Sequence, residues 1–276
     1  MNRILYYFQN PLQLLYMLPA VLLGLTFHEW GHAYAAYRLG DPTAKNMGRL
    51  SLNPLDHFDP LGVLCMLLLG FGWAKPVPVN PRNYRNLRWD DLKVSIAGVT
   101  MNLLMFVLSF LLMCGFVGFT IHGLPHLDSA SIGSSGMFTA NLLGQRVVCT
   151  GEYYFNAKDL FTMAPYVADY LIAPALGRMA GYIYQMLSYF VLVNIALAVF
   201  NLIPVPPLDG YHVLNDLLLR RSPFASPKVS RIAYGVLLVL IFCTPVISKL
   251  ILFVENLLMT GLGSAMYALF CAVGLV

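Results

Sequence analysis

Apolar residues fall into six runs along the chain, about 11–37, 58–72, 94–121, 179–203, 232–253 and 256–275, separated by stretches that collect the prolines and charges. A hydrocarbon core about 30 Å thick takes roughly 20 helical residues to cross. Five of the runs therefore predict transmembrane helices, while 58–72 is too short for an easy span. The stretches 38–57, 73–93 and 204–231 carry twelve of the 17 Lys and Arg residues, against only Arg146, Lys158 and Arg178 in the long polar stretch 122–178. Basic residues mark cytoplasmic loops, so the first three stretches are expected inside and 122–178 outside. With both of its flanks on one side, 58–72 is expected to dip in and return, or to lie within the bundle. Irregular backbone at that depth needs protein or a water-filled cavity around it. The run Lys75-Pro76-Val77-Pro78-Val79 cannot be helical, because each proline lacks a donor and pushes its predecessor extended.

The expected fold is an all-α polytopic membrane protein with about five to six transmembrane helices and a short re-entrant, extended β-like element near 58–82. One membrane-embedded domain covers 1–276. Its core is about 11–121 and 179–216, its external loop 122–178, and its C-terminal helices lie in 229–275. The first run is long and lacks a small-residue cleavage site, so it is expected to be retained.

Composition agrees with this pattern. The chain is 58% hydrophobic and only 11% charged, where soluble domains carry about 25% charged residues; its mean hydropathy is +0.68. The net charge of +4 resides in loops between apolar runs, which argues against nucleic acid as a partner. Cys65, Cys114, Cys149, Cys243 and Cys271 show no paired spacing and read as small buried hydrophobes, with no disulfide framework or thiolate metal site.

The first apolar run contains His28-Glu29-Trp30-Gly31-His32. Residues four apart share a helix face, so both imidazoles can grip one metal ion, and Glu29 can serve as general base towards a water on that metal. A metal there would lower the water's pKa towards about 7 and polarise a carbonyl. Ionisable residues inside a membrane helix cost roughly 2.5–3.5 kcal/mol each at mid-bilayer and mark function by default. Catalytic zinc takes three protein ligands. The best candidate for the third is Asp209, in Asn201-Leu202-Ile203-Pro204-Val205-Pro206-Pro207-Leu208-Asp209-Gly210. Prolines end the helix there and Gly210 permits a turn that aims the carboxylate inward; the alternative is an ordinary interfacial turn. His32 and His28 lie about 9 and 15 Å from the cytoplasmic end of the first helix, at 1.5 Å per residue. Asp209 belongs to the same side.

These motifs, with Gly72-Trp73-Ala74-Lys75-Pro76-Val77-Pro78-Val79 between them, resemble the site-2 protease family over about 1–110 and 180–216. The resemblance implies a three-helix core holding one Zn2+ per chain on His28, His32 and Asp209, with Glu29 as catalytic base. It implies membrane-anchored protein substrates cut at or within the bilayer, and a compact form without the PDZ or cystathionine-synthase-like module of some relatives. The family's Ala-Gly-Pro-x-x-Asn pattern appears here as Ala97-Gly98-Val99-Thr100-Met101-Asn102, with Val99 for the proline. Asn102 and Asn201 are the implied substrate contacts, against a packing hydrogen bond as the alternative. The extended 75–79 edge matches a family element able to receive a substrate strand by main-chain hydrogen bonds.

Other polar residues read as structural. His57 with Asp56 and Asp59 suggests a cytoplasmic surface cluster, His122 and His126 a solvated loop, and His212 a surface residue near Asp209, with support of that carboxylate as the alternative. Gly177 with Gly181, and Gly115 with Gly118, suggest close helix packing. Substrate choice is left to the outer loop, the membrane gate or a regulatory membrane partner, and compactness points to a prokaryotic cell membrane with the active site towards the cytoplasm. Two rival readings are a metal-ion transporter lined by His28, His32 and Asp209, and a catalytically inactive membrane scaffold. The first predicts polar residues recurring along several helices, whereas the charges here are nearly confined to loops; the second does not require Glu29.

Overall fold

The computed structural model describes residues 10–69, 72–122, 126–127, 138–142, 145–150, 153–155, 160, 164–219 and 226–274. Helix α1 is Pro11–Arg38, followed by the short helices α2 (Thr43–Asn46), α3 (Pro54–His57) and α4 (Pro60–Leu69) and the long α5 (Leu87–Ile121). A helical segment α6 passes through Ala164–Val167, a π-helical Ala168–Ile172 and Ala173–Leu176. Then come α7 (Arg178–Asn201), α8 (Asp209–Leu214, running into π-helical Asn215–Leu219), α9 (Pro227–Cys243) and α10 (Val246–Ala272). Helices α1, α5, α7 and α10 are long and apolar enough to cross a membrane. The 17 residues of α9 stand at the lower limit for a span. The protein is thus an all-α membrane protein in its principal elements.

Several features differ from the sequence pattern. The break between the last two apolar runs falls at Thr244–Pro245, not near 253–256: α9 ends at Cys243, Thr244 is extended, and α10 begins at Val246. Pro245 withholds the N–H that a continuous helix needs, whereas the charge of Glu255 is carried inside α10. Within the expected outer loop lies a four-stranded sheet, β1 (His126–Leu127), β2 (Phe138–Leu142), β3 (Gln145–Thr150) and β4 (Tyr153–Phe155), in the order β1-β2-β3-β4. β1 pairs parallel to β2, and the other pairs are antiparallel. His57 is not at the surface but 2% exposed: its Nε2 donates to the Ser51 carbonyl at 2.8 Å, and its own carbonyl accepts from Lys75 N at 3.0 Å.

The short run behaves as a hairpin. Helix α4 has ten residues, about 15 Å at 1.5 Å per residue. Trp73 Nε1 donates to Asp59 Oδ2 at 3.0 Å, and a Cβ on Gly62 would lie 2.0 Å from the Trp73 carbonyl oxygen. The chain therefore returns to its starting point. Residues 72–80 form no ladder; the N–H groups of Lys75, Val77 and Asn80 bond separately to the His57 carbonyl, Glu29 and Asp41. Gly118 and Gly181 do admit close neighbours, Phe270 and Ala173, while Gly115 and Gly177 face nothing within 4 Å. Of the described cysteines, Cys114 is buried and Cys243, against expectation, is exposed; both are free, as are Cys65 and Cys271.

The chain divides into two compact units. One comprises Met1–Phe106 and Leu192–Leu252 and contains every residue of the candidate site. Its apolar packing includes Leu208, Leu237 and Ile247, with Phe200, Ile203 and Val205 around them. The other comprises Val107–Val191 and Phe253–Val276; in it Tyr184, fully buried, donates to the Leu160 carbonyl at 2.7 Å.

Asp41, fully buried just beyond α1, ties the extended stretch to that helix. Its carboxylate accepts from Thr43 N at 3.1 Å, Asn80 N at 2.6 Å and Asn83 Nδ2 at 2.7 Å, and from the Thr43 hydroxyl. Burial works to raise its pKa, but these donors together hold it below 3.8. Asp41→Ala is expected to destabilise by about 2–4 kcal/mol, the range for unpairing a buried charged network, and to lower the melting temperature in detergent. A depressed carboxylate contributes stability above its unfolded value and loses it as pH falls through the folded one. The melting gap between wild type and variant should accordingly be full at pH 6 and shrink below pH 3.8.

Candidate active site

Two helices meet closely enough to build the site. A Cβ on Gly31 of α1 would lie 2.8 Å from Met101 Cγ and 2.9 Å from the Ala97 carbonyl oxygen on α5. A Cβ on Gly98 of α5 would lie 2.3 Å from His32 Nε2 and 2.8 Å from His28 Cε1. Only glycine leaves that room, because real Cβ contacts do not fall below about 3 Å on the van der Waals scale. Each helix thus presents a glycine where the other presents bulk.

The histidine tautomers follow from their outer partners. Asn102 Nδ2 donates to the Gly24 carbonyl at 3.0 Å and to Asn194 Oδ1 at 2.9 Å, which turns Asn102 Oδ1 towards His28 Nδ1 at 2.7 Å. An amide oxygen only accepts, so His28 Nδ1 carries the proton. His32 Nδ1 faces the Val94 carbonyl at 2.8 Å and must likewise donate. Both Nε2 atoms are then lone-pair donors, as metal-bound imidazoles require.

Those lone pairs converge with a carboxylate. His28 Nε2 and His32 Nε2 are 3.1 Å apart, and each is 3.3 Å from Asp209 Oδ2. Asp209 is the first residue of α8, aimed inward by a turn in which a Cβ on Gly210 would lie 2.2 Å from the Leu202 carbonyl oxygen. Asp209 Oδ2 is buried and has no hydrogen-bond donor. Reading the contacts as His–Asp ion pairs would require both imidazoles to be cationic at 3.1 Å, a like-charge arrangement that opposes itself strongly. A divalent cation removes the difficulty. Tetrahedral zinc with bonds of about 2.0–2.1 Å sets its ligand atoms roughly 3.3–3.4 Å apart, which the three separations approach. Two imidazoles and one carboxylate are donors of the kind that zinc accepts, and the three residues form a group that could hold a metal ion. These residues fit zinc.

Glu29, beside His28 on α1, accepts from Val77 N at 2.8 Å through Oε2. The extended stretch is therefore held against the candidate base by main chain. Asn102 was expected at the substrate; it is fully buried and bonded to His28, Gly24 and Asn194. Asn201, at the end of α7, donates to the Leu197 carbonyl at 3.0 Å and is partly exposed. Val99, standing for the proline of the pattern, is 3% exposed in an unbroken α5. Asn194 and the Val94 carbonyl are site components outside the motifs, and Gly98 is a motif position to which no role was assigned. An asparagine within the otherwise apolar stretch 190–200 of α7 was a usable signal for Asn194; a backbone carbonyl leaves none.

A model of Peptidase family M50 matches residues 16–244. The chain is 34% identical over 248 residues to "Putative zinc metalloprotease YwhC" of Bacillus subtilis (strain 168), covering 89% of this chain and 87% of that protein. It is 36% identical over 92 residues to "Putative zinc metalloprotease Rip2" of Mycolicibacterium smegmatis (strain ATCC 700084 / mc(2)155), covering 32% of this chain and 35% of that one. No solved structure gives a significant match.

Gly98→Ala tests the cradle, because its methyl would enter the space of both imidazoles. The variant is expected to fold but to bind zinc at least about tenfold more weakly, the loss typical of displaced ligand support. Competition against a chromophoric chelator reads the affinity.

Proposed function

The chain belongs to peptidase family M50 and is an integral-membrane zinc metalloprotease; we propose that it cuts membrane-anchored proteins with Glu29 as general base. The observation that carries this reading is the convergence of His28 Nε2, His32 Nε2 and Asp209 Oδ2 at 3.1–3.3 Å, with Glu29 adjacent. One Zn2+ per chain would be held by those three atoms. When bound, zinc supplies the Lewis acidity that lowers the pKa of a water and polarises a scissile carbonyl. His28 and His32 would keep their Nε2 lone pairs on the ion because Asn102 and Val94 occupy the opposite nitrogens. Glu29 would take a proton from the attacking water and pass it to the leaving amine. Its Oε2 is engaged by Val77 N, which orients the carboxylate and leaves Oε1 for proton transfer.

Substrate is expected to arrive as an extended strand, because a helix keeps its carbonyls in hydrogen bonds and out of reach of water. The proline-interrupted 75–79 stretch beside Glu29 supports this, and Asn201 is the proposed polar contact to the strand. Asn102 acts on His28 and is a positioning residue in this reading. The crowding of Lys and Arg into 38–57, 73–93 and 204–231 supports a site opening towards the cytoplasm of a prokaryotic cell. Family membership and the presence of Glu29 favour the enzyme over a metal-ion permease or an inactive scaffold.

Purified protein should cleave a generic membrane-anchored reporter in detergent. Glu29→Gln should retain one zinc and lose about 10²–10⁴-fold in rate, the range for a general base; loss of the metal together with activity would contradict the assigned role. Asn102→Leu should weaken zinc binding by about 10–100-fold, and Asn102→Asp, which keeps the acceptor, should recover part of that loss.

A further inference from the structure

One face of α5 contacts both histidines of the proposed metal centre and the helix that carries Asp209. At intervals of three or four residues it presents Arg88, Asp91, Val94, Gly98 and Asn102, the spacing that stacks side chains on one side of a helix. Asn102 orients His28, Val94 orients His32, and Gly98 makes room for both rings. Asp91 and Arg88 continue the face to the helix that carries the third ligand. Asp91 Oδ2 lies 3.1 Å from His212 Nδ1, and the Arg88 guanidinium donates to the Leu217 carbonyl at 3.1 Å and to the Asp216 carbonyl.

The geometry points to Arg88 and Asp91 as positioning residues that latch α8 to α5 and thereby hold Asp209 on the metal. This inference rests on the zinc reading above. Helix α8 has six residues before its π-helical continuation, too few to persist without tertiary support. It is preceded by the proline-broken 203–208 turn, so its direction is set by what it touches. On the N-terminal side Leu208 anchors it in the cluster with Leu237 and Ile247. On the C-terminal side, Asp91 grips His212 one turn beyond Asp209, and Arg88 grips carbonyls two turns beyond. Arg88 is suited to this task because its planar fork reaches two carbonyl oxygens at once. A ligand hinged at one end only would leave the ion more readily, so the latch governs metal retention.

The test is the rate of zinc release from the purified protein into excess chelator, with the melting temperature of each zinc-free form recorded alongside. Arg88→Ala/Asp91→Ala is expected to release zinc about tenfold faster or more. Lys93→Ala, which removes a neighbouring cation paired to Asp90 and lying off this face, should release it at the wild-type rate. If the double variant does not fold, Arg88→Lys and Asp91→Asn carry the test, each releasing zinc measurably faster than wild type. Wild-type release rates in the folded variants, whatever their melting temperatures, would overturn the latch and leave the metal centre standing. A wild-type protein that holds no zinc would overturn the metal centre and the latch together.

Discussion

The close approach of α1 and α5 at Gly31 and Gly98 is the constraint on which the site depends. It brings the Val94 carbonyl and Asn102 within hydrogen-bond distance of the outer nitrogens of His32 and His28. With those nitrogens committed as donors, the inner ones have only lone pairs to offer. Two lone pairs and a carboxylate oxygen within 3.3 Å repel one another unless a cation lies between them. In the proposed reading, the hydrogen bonds prepare the metal site as much as the three proposed ligands do.

The surroundings explain how such polarity is tolerated in an apolar chain. Buried polar groups are expensive when unpaired and nearly neutral when paired. Asn102 and Asn194 are both fully buried and bonded to each other, and Asn102 also bonds backbone. Irregular backbone at the site is treated alike. In the 72–80 stretch, Lys75, Val77 and Asn80 donate to the His57 carbonyl, Glu29 and Asp41 respectively, while two prolines need no acceptor. The same bonds fix the candidate base and the extended edge relative to one another.

Features set by local spacing were readable from the chain. The four-residue interval of His28 and His32, the proline-broken turn at Asp209 and the four long apolar helices need no tertiary knowledge. Features set by tertiary partners were not readable. His57 lies beside Asp56 and Asp59 in the sequence, yet it is buried and its carbonyl and ring bond Lys75 N and the Ser51 carbonyl. Asn102 matches a pattern, but which neighbour its amide faces depends on Asn194, 92 residues away. The break at Pro245 is marked in the sequence, whereas the expected gap between 253 and 256 falls inside α10. In the small sheet within 126–155, β1 and β4 have two and three residues, too short for alternation to register, whereas Phe138-Thr139-Ala140-Asn141-Leu142 of β2 does alternate and was a usable signal.

X-ray absorption at the zinc edge of the purified protein addresses the central claim most directly. The account predicts one zinc per chain with first-shell scatterers of nitrogen and oxygen at about 2.0–2.1 Å, two of them imidazoles, and no sulfur. Sulfur at about 2.3 Å, or a shell unchanged when Asp209 is replaced by alanine, would contradict it.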